Sequence, residues 1–195
     1  MWQNVINWAD EYHDNSKFQS AKVLPILNFI NTSTPVAIRI DFMTYDGIIT
    51  AIKSCEIYDE AEFDAFIDEI SVAVADLELS VEQKEELIEQ LLLNVEQHPE
   101  HEFTSWSLIH FIEWLDEDGS TNYNVEILRS LRRKPKYLTL LLANRIVNAL
   151  PETSPDRSIY IATLKEVASD PILDEYIRNE ANKLYKYQLN NSKNK

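Results

Sequence analysis

Along most of the chain apolar residues recur every three or four positions, the repeat of one buried helix face. Trp2, Val5, Ile6, Trp8 and Ala9 mark an amphipathic helix over 2–13. Asn15 and Ser16 can cap a second, striped by Phe18, Ala21, Leu24, Leu27 and Ile30, with Pro25 inside it predicting a kink or a split. Asp59 opens a further helix, with Glu62 three residues on, close to a capping box, and a stripe of Phe63, Phe66, Ile67, Ile70, Val74 and Leu77. Ser80 and Gln83 form the same signal ahead of Leu87, Ile88, Leu91, Leu92 and Val95. Glu82, Glu85, Glu86 and Glu89 fall on the opposite face, and Pro99 ends that segment. Thr104 or Ser105 starts the next, over Trp106 to Trp114.

Asn122 can cap a short helix carrying Val125, Leu128 and Leu131, which ends at Lys134-Pro135. Leu138, Leu141, Leu142, Ile146, Val147 and Leu150 stripe the segment from Tyr137 to Leu150. Asp156 is expected to cap a helix with Ile159, Ile161, Leu164 and Val167. Asp170-Pro171 is expected to start the last one, with Leu173, Ile177, Ala181, Leu184 and Tyr185. Thr34-Pro35, Ser154-Pro155 and Asp170-Pro171 repeat one device, a cap followed by proline at the first helical position. Residues 190–195 read as a frayed polar tail.

Residues 36–54 fit two patterns. Ile38, Phe42, Tyr45, Ile49 and Ile52 step by helical intervals, which favours two helices broken at Gly47. Ile38, Ile40 and Phe42 also alternate, and Asp46-Gly47 is a hairpin turn signal, so a short β-hairpin is the alternative. The whole pattern predicts an all-α protein of roughly ten helices averaging about 12 residues. The short loops make neighbours antiparallel, and helical hairpins of this size stack as a HEAT-like α-solenoid. No repeat motif is visible, so the solenoid is inferred from helix and loop lengths. Residues 1–189 are expected to form a single helical domain.

Composition sharpens the picture. The 195 residues are 45% hydrophobic, enough to bury a core, and include only 2 Gly. That scarcity argues against turn-rich β folds and against glycine-rich phosphate-binding loops. A single cysteine, Cys55, excludes an internal disulfide and a cysteine-rich zinc site. No apolar run is long enough to span a membrane. The opening MWQNVINWADEY has no basic segment before an apolar run, so a secretory signal is not expected and a reducing cytoplasm is.

The formal net charge is -15, and its placement matters more than its size. Between Glu56 and Glu102 sixteen acids face one base, Lys84, so this stretch holds the entire excess. Such a field repels phosphate backbones and attracts a basic protein. It also keeps a protein soluble, which is the plainer explanation. The basic run Arg129, Arg132, Arg133, Lys134 and Lys136 lacks interleaved aromatics, so pairing with acidic neighbouring helices or capping a helix C-terminus fits it better than nucleic acid.

Catalytic signals are sparse. His98-Pro99-Glu100-His101 places two imidazoles close together, but the proline bars a helical metal pair, and a solvated loop is expected. His110 and Glu113 share a helix face without identifiable further ligands. Cys55 reads as an inert, buried thiol. No catalytic role, metal or cofactor is assigned to any residue.

The aromatics carry more. Trp106 and Trp114 lie eight residues apart on one helix face, next to Asp116, Glu117, Asp118 and Tyr123. Acids at a helix C-terminus oppose the macrodipole, which marks a local choice made against stability. The two indoles can serve as core residues or as interface anchors.

The segment TSWSLIHFIEWLDEDGSTNYNVEILRSLRRKPKYLTLLLANRIVNALPE resembles helical immunity proteins of polymorphic or contact-dependent growth-inhibition toxin systems. The carrying features are Ser107 to Glu113, Tyr123, Leu128 to Leu131, Pro135 and Leu142 to Asn148, within about residues 103 to 185. The resemblance implies a cytosolic, non-enzymatic antitoxin that occludes a cognate toxin domain, often a basic nuclease. The expected contact residues are Trp106, His110, Glu113, Trp114, Asp116, Glu117, Asp118 and Tyr123. A non-catalytic helical scaffold that binds another protein is the first alternative, and a helical hydrolase using His110 and Glu113 the second.

Overall fold

The computed structural model describes residues 44–56, 59–100, 102–117, 119, 121 and 123–191. The expected helices over 2–13 and 16–30 and the cap at Thr34-Pro35 lie outside them. Within the described residues every regular element is a helix. In chain order these are α1 Tyr45–Ser54, α2 Glu60–Ala75, α3 Val81–Gln97, α4 Trp106–Leu115, α5 Tyr123–Arg133, α6 Tyr137–Ala149, α7 Pro155–Ser169 and α8 Glu175–Asn191.

Local chemistry sets most of the starts. Thr44 caps α1, its hydroxyl accepting from the Gly47 amide at 3.3 Å. Gly47 therefore sits in the first turn of a helix, neither in a hairpin turn nor at a helix break. The hairpin reading fails over 45–54 because Ile48, Ile49 and Ile52 gain burial only on a helical repeat; Ile38, Ile40 and Phe42 lie outside the described residues. Asp59 caps α2 by accepting from the Glu62 amide at 2.8 Å. Ser80 and Gln83 close the expected capping box on α3, and Ser105 caps α4 through the Leu108 amide at 3.0 Å.

Ser154-Pro155 holds as the cap and first-turn proline of α7, so Asp156, expected as a cap, lies inside the first turn. Asp170-Pro171 does not open α8. Asp170 instead ends α7 and its carboxylate takes the Ile172 amide at 2.9 Å, while Asp174 takes the Tyr176 amide at 2.8 Å at the real start. A cap-and-proline signal cannot distinguish a helix start from a turn placed just before one. At the other end α8 continues through Asn190 to Asn191, and residues 192–195 lie outside the described set.

The helices pack in two layers, with α1, α3, α5 and α7 in one and α2, α4, α6 and α8 in the other. Side-chain pairs give the directions. Tyr45 at the start of α1 donates to Glu86 near the start of α3, and Asn94 near the end of α3 caps the Ile52 and Cys55 carbonyls at the end of α1. Glu96 meets Arg133 where α3 and α5 both end. Tyr160 on α7 donates to the Asn124 carbonyl on α5. In the second layer Ser105, at the start of α4, donates to Asp64 on the first half of α2. Tyr137 and Tyr176 stack edge-on at 5.8 Å where α6 and α8 begin, and Gln188 bonds Asn144 and Asn148 where they end. Neighbours within a layer thus run parallel and successive helices antiparallel, the solenoid-like arrangement expected from the loop lengths. One continuous core runs between the layers, with Leu87, Ile88, Leu91, Leu92, Leu108, Ile109, Leu138 and Leu164 fully buried.

Candidate functional site: the outer face of α4

Helix α4 is short and strongly apolar, so its fate depends on which side faces the core. Leu108, Ile109, Phe111, Ile112 and Leu115 take the inner side. The same 3.6-residue repeat then forces Trp106, His110 and Trp114 outward, along one stripe. Trp106 is 39% exposed and Trp114 44%. The Trp106 and His110 rings lie 6.3 Å apart, and Trp114 stacks on buried Phe111 at 5.9 Å. Both indoles are therefore half-exposed rather than buried in the core.

The acids beside them are not equivalent. Glu113 is held in a fork by Arg145 of α6, at 2.5 and 2.8 Å, with His110 Nδ1 at 3.8 Å from it. That pair ties α4 to α6, and the fork raises the Arg145 pKa further. Asp116 follows the helix and accepts from the Thr121 amide and hydroxyl at 3.0 and 2.5 Å. Its main-chain carbonyl also takes the Gly119 amide at 2.8 Å. Gly119 adopts φ +64°, the left-handed region that a side chain disfavours. Asp116 therefore shapes the turn, which accounts for an acid at a helix C-terminus. Glu117 is exposed, and its amide bonds the Trp114 carbonyl at 3.1 Å. Asp118 lies outside the described residues.

Tyr123 opens α5 half-buried. Burial first, then the Glu113 and Asp116 carboxylates, push its phenol up to about 12, against the opposing pull of Arg145. Of the eight expected contact residues, Trp106, His110, Trp114 and Glu117 form an accessible stripe. Glu113, Asp116 and Tyr123 form the half-buried support behind it. Arg145 was not foreseen; its position on the apolar segment LANRIVN was the available signal.

Next to this stripe, in the same layer, lies α2. Its inner side carries Phe63, Ile67, Ile70 and Val74, and its outer side exposes Asp68, Glu69, Asp76 and Val72, the last at 68%. Among the described residues no base pairs with these three acids. The opposite layer treats its charges differently. Arg133 forks onto Glu96 at 2.6 and 2.9 Å and reaches Glu89 at 3.9 Å, and Arg129 meets Glu126 at 2.5 Å. The basic run at 129–136 is thus consumed largely within the fold.

Pro99 and Glu100 are exposed in a loop, as expected, but His98 is not solvated. His98 is buried against Phe103 at 4.3 Å, and its Nδ1 accepts from the Glu100 amide at 3.1 Å. Lys136, itself buried, donates to the His98 and Glu100 carbonyls, and burial pulls its pKa down. A long side chain can reach a chain end that no sequence periodicity places near it, so this contact was invisible beforehand. His101 lies outside the described residues. Cys55 is half-buried, and burial pushes its thiol up, as befits an unreactive sulfur. Among the described residues no group of three or more His, Cys, Asp or Glu is arranged to hold a metal ion. No described helix is long and apolar enough to cross a membrane.

The described chain is an all-helical protein with solenoid-like packing and an aromatic stripe on one layer. No protein-family model, curated protein or solved structure matches it.

Proposed function

We propose that this chain is an immunity-type inhibitor, which binds a basic toxin domain such as a nuclease in the cytoplasm and occludes its working surface. The observation that carries the reading is the pairing of half-exposed Trp106 and Trp114 on α4 with acids of α2 in the same layer that no base among the described residues neutralises. Aromatics of this kind anchor interfaces, because they bury a large area at a small entropic cost. The neighbouring acids steer a cationic partner and raise its on-rate, a contribution that fades with salt. The mechanism is stoichiometric binding without a cofactor. Nucleic acid and membrane are not direct partners, since the negative field opposes both phosphate and anionic lipid.

The test is to co-purify the chain with the product of the adjacent gene and to assay that product with and without it. A one-to-one complex in which the partner's activity disappears supports the inhibitor. A complex in which the activity persists turns the reading into that of a helical adaptor. Within a complex, alanine at Trp106 and Trp114 together is expected to weaken binding at least about tenfold, the loss of one hot-spot contact. Unchanged affinity would move the interface off α4.

A further inference from the structure

Trp114 and Glu117 are both exposed and lie three residues apart where α4 ends. The Glu117 amide bonds the Trp114 carbonyl at 3.1 Å, and the Gly119 turn, closed onto Asp116 at 2.8 Å, holds the segment that follows. Trp114 is 44% exposed, with one side of its ring stacked on Phe111 at a 16° interplanar angle. An indole backed in this way is rigid and offers a π surface to whatever approaches, with an exposed carboxylate three residues along. Arg145, which reaches α4 from α6, is already neutralised by its fork to Glu113. Among Glu113, Asp116, Glu117 and Arg145 the balance is two negative charges, so the locale attracts a cation.

We propose that the Trp114–Glu117 corner is a receptor for an arginine of the partner protein. This deepens the inhibitor reading and rests on it for the partner's identity. A guanidinium is planar and weakly hydrated, so it can lie on an indole while its fork meets a carboxylate. A lysine ammonium is a compact, strongly hydrated charge that does either less well. His110 and Trp106, about 6 and about 12 Å back along the helix at about 1.5 Å per residue, extend the same stripe and take a neighbouring side chain of the same segment. The chain already uses the matching chemistry internally, with arginine–carboxylate forks at Arg133–Glu96 and Arg145–Glu113.

The test needs no toxin. The full-length protein is titrated with hexa-arginine and with hexa-lysine at about 150 mM salt, where the Debye length of about 8 Å screens long-range attraction. Tryptophan fluorescence and the indole N–H resonances report the contact. Hexa-arginine is expected to bind about fivefold more tightly than hexa-lysine, to quench Trp114, and to shift its indole resonance. Trp114→Ala and Glu117→Gln should each abolish the arginine preference, while Asp68→Asn with Glu69→Gln on α2 should weaken both peptides equally and keep it. Equal binding of the two peptides, or a preference that survives Trp114→Ala, overturns the proposal. Should Trp114→Ala lose its fold by circular dichroism, Trp114→Leu and Glu117→Gln carry the same comparison. Failure here with a tight toxin complex intact would remove only the arginine receptor, whereas no toxin complex with the arginine preference intact would remove only the inhibitor reading.

Discussion

The α3–α5 seam and the outer face of α2 handle their carboxylates in opposite ways. Between α3 and α5, Glu96 and Glu89 meet Arg133, and within α5 Glu126 meets Arg129, so the acids of that seam are part of the packing. On α2, Asp68, Glu69 and Asp76 face water with no described base beside them, and α4 adds two half-exposed indoles to the same layer. A paired acid lowers the cost of its own position. An unpaired acid on a crowded negative face adds repulsion that a folded protein tolerates only at the expense of stability. The difference teaches that the excess charge of -15 is not one property. Part is cement for the helix seams, and part is a field projected from the outer face of α2.

That contrast can be broken at its strongest point first. Lys136→Ala removes a buried cation that joins the loop after α3 to the start of α6 and leaves the His98 and Glu100 carbonyls without their donor. The expected loss is about 3 kcal/mol, from the unsatisfied carbonyls and the lost stem packing, read by urea unfolding. Glu96→Gln comes next. Its carboxylate is almost fully buried and charge-assisted on both oxygens, so about 2 kcal/mol should go, and a double-mutant cycle with Arg133→Ala should assign most of that to the pair. A loss near zero would make the seam decorative.

A third change sharpens the comparison through pH. Burial is the main cause that raises the Glu126 pKa in the folded protein, outweighing Arg129, with Glu89 and Glu85 pushing the same way. A carboxyl raised on folding holds its proton longer in the native state than in the unfolded one. Its contribution to stability is therefore present below the ordinary carboxylate pKa and is lost as pH climbs through the raised folded value. Glu126→Gln cannot lose it, so the variant should gain on the natural protein as pH rises from about 4 across the carboxylate range, by under about 1 kcal/mol. Parallel stability curves would refute the assignment. The smallest expected effect is on α2, where Asp68→Asn, Glu69→Gln and Asp76→Asn together should alter stability by less than about 0.5 kcal/mol, the usual range for surface changes. Binding of a basic partner should nonetheless lose salt dependence, measured as association rate against ionic strength.

Particular residues show what could be read in advance. The capping box at Ser80 and Gln83 and the stripe Leu87, Ile88, Leu91, Leu92 and Val95 appear in the structure as written, because both depend on neighbours within one turn. The start of α8 was misplaced by four residues, since Asp170-Pro171 and Asp174 offer similar local chemistry and only the packing of Tyr176 on Tyr137 selects between them. The stripe at Trp106, His110 and Trp114 was legible as a stripe, but not as an exposed one. An apolar helix with aromatics on two sides has two candidate inner faces, and the sequence alone cannot choose which one meets α2 and α6. Arg145 and Lys136, which fix an acid and a loop from helices distant in sequence, show as charges in the sequence, but their partners do not.

What the chain determined by itself was most of its described helices and their early caps, the concentration of acid between Glu56 and Glu102, and the nearness of indoles and carboxylates around residue 114. These follow from interactions a few residues long. The tertiary structure decided which acids are spent and which remain: it set Arg133 against Glu96, Arg145 against Glu113 and Thr121 against Asp116, and left Glu117 open beside Trp114. The reason is distance. Charge and hydrogen bonding act over a few ångströms, and those ångströms are fixed only when helices far apart in sequence are laid side by side.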